Sequence, residues 1–342
     1  MRRNKKMKRI LVKGMLKTPV ESRARLLKEA RELDGLGADV IRVAIEKESS
    51  LPVIRQLKKA VKARIEADVH FDPRLTIGSI EQGTDLVRFN PLNITDRKAV
   101  KTFIDAATAH RTHVRIGINS GGFKGRFTDE SLAREMVRLM RTWVRFFEKQ
   151  GFHDLSLSFK AQSVRTTVLA NRQFWKECDR YGMDLGVTAT GPYEEGLMKS
   201  ALALGALFSD GIGDSLRLSL NAPSTEEVRL AKLLLQFMGF GQSYPEIISC
   251  PTCSRTCVDL RRRVESFRKF MYAHPAFRGK PVKIALMGCV VNGPGEASQA
   301  DAGVAFAKKG GHAALFKKGK IVGRIREEQY RDELVKLFER ET

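Results

Sequence analysis

No stretch of the chain stays apolar for the ~20 residues that a membrane-spanning helix needs. The opening, MRRNKKMKRI, is basic, but no apolar signal core follows it, so a cytoplasmic protein is expected. Internal repeats and low-complexity tracts are absent. Acidic residues are scarce: 39 Asp and Glu face 61 Lys and Arg, which leaves a formal charge of +22. That imbalance suits nucleic acid, an anionic small molecule or an acidic protein, and does not choose among them. The basic segments RRNKKMKR and RRRVESFRK carry few aromatics, which counts against a nucleic-acid surface built on stacking. Five cysteines is an odd count for a chain with no export signal. Disulfides are therefore not expected, and a Cys-X-X-Cys reads as metal or redox chemistry. No G-x-G-x-x-G follows the first strand, which argues against a dinucleotide fold.

What is present has a clear order. The 342 residues suit one large domain and one smaller one. Apolar, β-branched runs at 8–15, 39–45, 64–71, 86–90, 113–119, 154–161, 185–190 and 215–220 read as strands. Amphipathic helical segments separate them, among them ESRARLLKEARELDGLG, DESLAREMVRLMRTWVRFFEKQG and STEEVRLAKLLLQFMG. Eight strand–helix units imply parallel strands and a (β/α)8 barrel over residues 1–240, with an open doubly wound sheet as the alternative. After Phe240 the pattern changes to a linker, GFGQSYPE. A Cys-X-X-Cys, a basic helix, the strand KIALMGCVV, a hairpin-like pair and a closing helix follow. Residues 241–342 thus read as a small α+β domain.

In a (β/α)8 barrel the site lies at the C-terminal ends of the strands. Here those ends carry Arg42, Asp68, His70, Arg88, Asn90, Arg115, Asn119, Lys160, Arg217 and Ser219. One charged residue near a strand end is usually solvated or paired. Four arginines and a lysine on separate strands would converge on one concave mouth, and guanidinium forks match phosphate oxygens. A small diphosphate-bearing molecule fits such a cup better than a nucleic acid does.

The cysteines form a second constellation. Cys250, Cys253 and Cys257 lie in ISCPTCSRTC, and Cys289 lies in MGCVVNGPGEA ahead of Glu296. Structural zinc prefers four closed ligands, commonly in paired knuckles, and the second stretch offers one cysteine. A redox dithiol usually follows a thioredoxin-type strand, which is missing. An iron–sulfur cluster takes thiolates. Cys250, Cys253 and Cys289 supply three, with Cys257, Glu296 or nothing as the fourth. Glycines and Pro294 let the backbone pass close to a bulky group. Cys178, in RQFWKECDRYG, reads as a buried structural thiol.

Taken together, the stretches GADVIRVAI, ADVHFDPRL, VRFNPLNI, VRIGINSGGF, LSLSFKAQSV, LGVT, KSALALG, GIGDSLRLSL, ISCPTCSRT and MGCVVNGPGEA resemble the 4-hydroxy-3-methylbut-2-enyl diphosphate synthase family of the non-mevalonate isoprenoid pathway. The resemblance runs from about residue 36 to 305. It implies a TIM-type barrel followed by a domain similar to part of sulfite and nitrite reductases. It also implies a [4Fe-4S] cluster on Cys250, Cys253, Cys289 and Glu296, with Cys257 no ligand. Arg42, Arg88, Asn90, Arg115, Asn119, Lys160, Arg217 and Ser219 map to substrate holding, with Asp68, His70 and Glu296 at the chemistry. The implied reaction is the reductive ring opening of a cyclic diphosphate, with electrons from ferredoxin or flavodoxin. The implied assembly is a homodimer in which one chain's cluster domain closes over the other's barrel. Two departures stand out. Ala189 occupies the place of a family glutamate, with Glu194 and Glu195 nearby, and LVKGMLKT replaces the usual Q-S-M-T-like first strand. Ala189 motivates a second reading, a paralogue acting reductively on another anionic substrate.

Overall fold

The computed structural model describes residues 9–70, 72–241, 244–277, 280–291, 295, 297–307 and 311–339. The chain divides into two compact units between Phe240 and Gly241.

In the first unit eight parallel strands close into a barrel: β1 (Leu11–Met15), β2 (Val40–Ile45), β3 (Arg64–Val69), β4 (Leu86–Phe89), β5 (His113–Asn119), β6 (Leu155–Lys160), β7 (Gly182–Leu185) and β8 (Ser215–Leu216). Eight helices alternate with them, from α1 (Arg23–Gly35) through α5 (Asp129–Lys149), α6 (Val164–Glu177) and α7 (Tyr193–Ser209) to α8 (Ser224–Phe237). The expected (β/α)8 barrel is therefore the fold. Its strands obey the period of two. In β2 the residues Ile41, Val43 and Ile45 are at most 1% exposed and belong to the apolar layer beneath the helices, while Arg42 belongs to the polar set. The long α5 lays Met136, Val137, Met140, Trp143 and Phe147 against that layer, and a Thr128–Ser131 capping box starts it.

Two strands differ from expectation. The run at 185–190 pairs only through Leu185; the ladder is Gly182–Leu185. A Cβ on Gly186 would come 2.7 Å from the Arg217 carbonyl, and Ala189 takes the left-handed region at φ +49°, so LGVTAT bends away rather than extending. The eighth ladder covers only Ser215–Leu216.

The second unit is a five-stranded mixed sheet in the order β13-β12-β11-β10-β9. Its members are β9 (Glu246–Ser249), β10 (Lys283–Met287), β11 (Ala302–Phe306), β12 (His312–Lys317) and β13 (Lys320–Arg326). β9, β10 and β11 run parallel, and β11, β12 and β13 form an antiparallel meander, one strand more than the expected hairpin. Helix α9 (Leu260–Ala273) and the closing helix Tyr330–Glu339 contribute Phe267, Met271 and Leu334 to a core shared with Ile284, Leu286, Val304 and Phe306. The short β9, largely half-buried, shows no strand pattern in the sequence, yet it leads directly into Cys250.

Candidate functional site

The lumen of the barrel is ionic. Bulky aliphatic residues normally fill this space in layers. Here the inward positions of adjacent strands pair in register as Met15 with Arg42, Arg42 with Glu66, Asp68 with Arg88, Arg88 with Arg115, Asn119 with Lys160, and Asp184 with Ser215. At its mouth is a cavity of about 180 Å³ lined by Met15, Arg42, Asp68, His70, Arg88, Arg115, Asn119, Lys160, Thr188 and Arg217. Eight of the ten strand-end residues singled out in the sequence thus line one space. Asn90 and Ser219 are not among the lining residues. Asn90 braces its own loop, donating to Asn93 Oδ1 at 3.1 Å and accepting from Leu92 N–H at 3.1 Å. Ser219 Oγ is buried with no hydrogen-bond partner among the described residues.

Ion pairs organise the mouth. Asp68 pairs with Arg42, lies 3.5 Å from Arg88 NH1 and 3.3 Å from His70 Nε2. Asn93 Nδ2 lies 2.8 Å from His70 Nδ1 and orients the ring. Burial alone would raise the Asp68 carboxyl, but Arg42, His70 and Arg88 hold it well below its ordinary range. The cations show the opposite strain. Burial and the neighbouring Arg42 push Arg88 down to about 9, and the same two causes lower Arg217. The Arg217 guanidinium makes no hydrogen bond or ion pair among the described residues, and its Nε is buried without a partner.

A lower tier was missed in the sequence. Lys13, Glu66 and Asp184 are each at most 4% exposed. Glu66 pairs with Lys13 at 3.0 Å and with Arg115; Asp184 pairs with Lys13, Arg115 and Lys160 at 3.0–3.2 Å. Burial raises both carboxyls, and these cations bring both well below their usual values. The signal was available: Lys13 and Glu66 sit two residues before Met15 and Asp68, one pleat deeper on the same face. In the two tiers, among the described residues, six cations (Lys13, Arg42, Arg88, Arg115, Lys160, Arg217) face three carboxylates (Glu66, Asp68, Asp184), an excess of three positive charges. A concave space with that excess, and with a guanidinium that has no partner among the described residues, can take a multiply charged anion.

In the second unit, β9 and β10 are parallel neighbours with Ser249 opposite Leu286. Cys250 directly follows the first and Cys289 lies two residues past the second, so both lie at the C-terminal edge of these two strands. Gly288 N–H donates to Cys250 Sγ at 3.4 Å. Cys253 is exposed on the intervening loop, where its N–H donates to Thr256 Oγ1 at 3.1 Å. A Cβ on Gly288 would meet Thr256 Cγ2 at 2.8 Å, so this close approach of the two loops requires glycine. Cys257 directs its thiol to the carbonyls of Gly288 and Phe306 at 3.3 and 3.6 Å. No disulfide links the cysteines. Glu296 and Pro294 lie outside the described residues. Among the described residues, no three His, Cys, Asp or Glu side chains could hold a single metal ion. A multi-iron cluster spreads its thiolates over several metals, and the three thiols on two adjoining loops fit that donor set.

The GcpE TIM-barrel domain family model matches residues 5–232, and the GcpE protein C-terminal domain model matches residues 246–340. The chain belongs to the GcpE family. Its relatives include a 4-hydroxy-3-methylbut-2-en-1-yl diphosphate synthase (flavodoxin) from Caldanaerobacter subterraneus subsp. tengcongensis, 37% identical over 97% of this chain and 92% of that one. Proteins of the same name from Lawsonia intracellularis, at 37% over 96% and 90%, and Thermodesulfovibrio yellowstonii, at 36% over 95% and 92%, are similar. Among solved structures, dihydropteroate synthase from Stenotrophomonas maltophilia aligns at TM-score 0.51 and 16% identity, over 68% of this chain and 94% of that one. That likeness concerns the fold alone.

Other expectations are revised in this GcpE chain. Cys178 is half-buried at the end of α6, beside Arg180, not buried. Glu194 and Glu195 sit exposed in the first turn of α7, with Glu195 3.8 Å from Lys199, and neither lines the cavity. No helix among the described residues is long and apolar enough to cross a membrane.

Proposed function

We infer that the chain catalyses the reductive ring opening of 2-C-methyl-D-erythritol 2,4-cyclodiphosphate to 4-hydroxy-3-methylbut-2-enyl diphosphate. The observation that carries this reading is the cavity in which five cations from five strands meet in a chain whose relatives bear that product's name. Substrate, two electrons and two protons give product and water. The paralogue reading is not favoured, because the relatives named above share one activity.

Arg42, Arg88, Arg115, Lys160 and Arg217 hold the diphosphate oxygens, and Arg217 gains its missing partner there. Asn90 acts through its loop on Asn93 and so on His70, while Asn119 offers polar atoms at the mouth and Ser219 a buried hydroxyl just past the eighth strand. His70, 43% exposed by its side chain, stands between Asp68 and Arg88 at the mouth, where its ring can relay a proton to the departing hydroxyl. Cys250, Cys253, Cys289 and Glu296 hold a [4Fe-4S] cluster, which supplies the electrons one at a time. The donor is flavodoxin, as in the relatives' names, or ferredoxin. An acidic carrier suits the basic chain. The working assembly is a homodimer in the cytoplasm.

The deciding test is anaerobic. The protein is reconstituted with iron and sulfide, reduced, and given the cyclic diphosphate, with product followed by mass spectrometry. Formation of the linear allylic diphosphate confirms the reaction with alanine at position 189. A reduced, cluster-bearing protein that forms no product refutes it.

A further inference from the structure

The lower ionic tier does more than fill the lumen. Asp184 is 1% exposed and meets four polar groups. Its Oδ2 accepts from Lys160 Nζ at 3.0 Å and Arg115 NH1 at 3.2 Å. Its Oδ1 accepts from Ser215 Oγ at 2.8 Å and faces Lys13 Nζ at 3.1 Å. A carboxylate this deep costs several kcal/mol in desolvation unless its partners repay it, and an apolar layer fills a barrel more cheaply. Two of its partners, Lys160 and Arg115, are also cavity residues. Asp184 itself does not line the cavity.

We propose that Asp184 is a positioning residue that fixes the Lys160 ammonium and the Arg115 guanidinium at the cavity floor, and so sets how tightly and over what pH range the cup takes a diphosphate. The proposal rests on the anion-binding reading of the cup. Lys160 is the sensitive member. Burial drives its pKa down, Asp184 opposes, and Arg217 and Arg115 add to the fall; the outcome is about 7. Below that pH the ammonium is in place before the anion arrives. Above it, binding must bring a proton, and affinity falls by up to about tenfold per pH unit. Without Asp184 the counterweight is gone, so the fall starts at lower pH. Without Lys13, which shares the carboxylates of Asp184 and Glu66, the counterweight grows and the fall starts at higher pH.

The test is titration calorimetry of the full-length chain with inorganic diphosphate from about pH 6 to 9, a window that spans that titration. Asp184→Asn should weaken binding about tenfold or more near pH 7 and move the decline to lower pH. Lys13→Met should move it to higher pH. Lys160→Met should abolish the part of the decline that begins near pH 7, and adding Asp184→Asn to it should cost less than Asp184→Asn costs alone. Unchanged binding by Asp184→Asn overturns the proposal while leaving the cup intact. So does a loss common to Asp184→Asn and Lys13→Met with no opposed shift in pH. If Asp184→Asn does not fold, the direction of the Lys13→Met shift decides. A wild-type chain that binds no diphosphate refutes the cup reading, and this inference with it.

Discussion

The barrel mouth and the cysteine edge are built by opposite means. In the mouth, charged side chains from separate strands are buried, mutually paired and aimed before any ligand arrives. At the cysteine edge the thiols stand on loops beside two parallel strands, and Cys253 is exposed. Few contacts place them: an N–H donated to Cys250, a threonine hydroxyl at Cys253 and a glycine beneath Thr256. The difference teaches where order comes from. On the function proposed above, the cup is folded ready for an anion, and the cysteine edge would take part of its order from the group it binds.

The largest effect should separate the two regions completely. Cys253→Ala or Cys289→Ser is expected to abolish turnover and the visible cluster absorption, while calorimetry still finds wild-type diphosphate affinity in the barrel. Loss of both together would mean that the regions are not independent.

Arg217→Gln comes next. Among the described residues its guanidinium has no hydrogen-bonded partner to leave stranded, so diphosphate affinity should fall about tenfold to a hundredfold with no loss of melting temperature. A large drop in thermal stability would show that Arg217 is structural. Acid should act on the barrel through the same network. Glu66, Asp68 and Asp184 are held below their unfolded values near 4, so their stabilisation is present above that pH and is lost as pH falls toward the folded values. Circular dichroism of the full chain should show barrel unfolding begin below about pH 4.

At the cysteine edge, Gly288→Ala should push Thr256 aside at a cost of about 1–3 kcal/mol and slow cluster loading, read by absorbance during reconstitution. The smallest effect is expected at Ala189. Its left-handed backbone costs an alanine about 1 kcal/mol relative to glycine, so Ala189→Gly should raise the melting temperature slightly.

Legibility in the sequence followed the same divide. Arg42 inside VIRVAI and Arg115 inside HVRIGIN announce themselves, because a charge alternating with apolar residues on a strand must face somewhere other than the apolar layer. Lys13 and Glu66 obeyed the same rule but lay below the strand ends, where a rule about active-site rims does not look. Asp184 was hidden by a shifted strand: LGVTAT carries the β-branched residues, yet the ladder stops at Leu185 because Ala189 and the close packing of Gly186 bend the chain. β9 is three half-exposed residues and one exposed, too short for periodicity to show. The cysteines were legible by type and spacing alone. The contacts that place them, Gly288 against Thr256 and the Cys257 thiol on two carbonyls, depend on the pairing of β9 with β10 and leave no local pattern.

The ionic lumen also constrains how such a barrel can change over generations. Among the aliphatic residues outside the strands, one substitution at a time costs little when volume is kept. Inside, removing one member of the Lys13, Glu66, Asp184 group strands its partners in a medium that cannot solvate them, at about 3–5 kcal/mol. Single steps are therefore largely closed, and the accessible moves are concerted exchanges that keep the charge count. Within this barrel, lineages should differ in the lumen by matched sets of residues and in the outer layer by scattered ones.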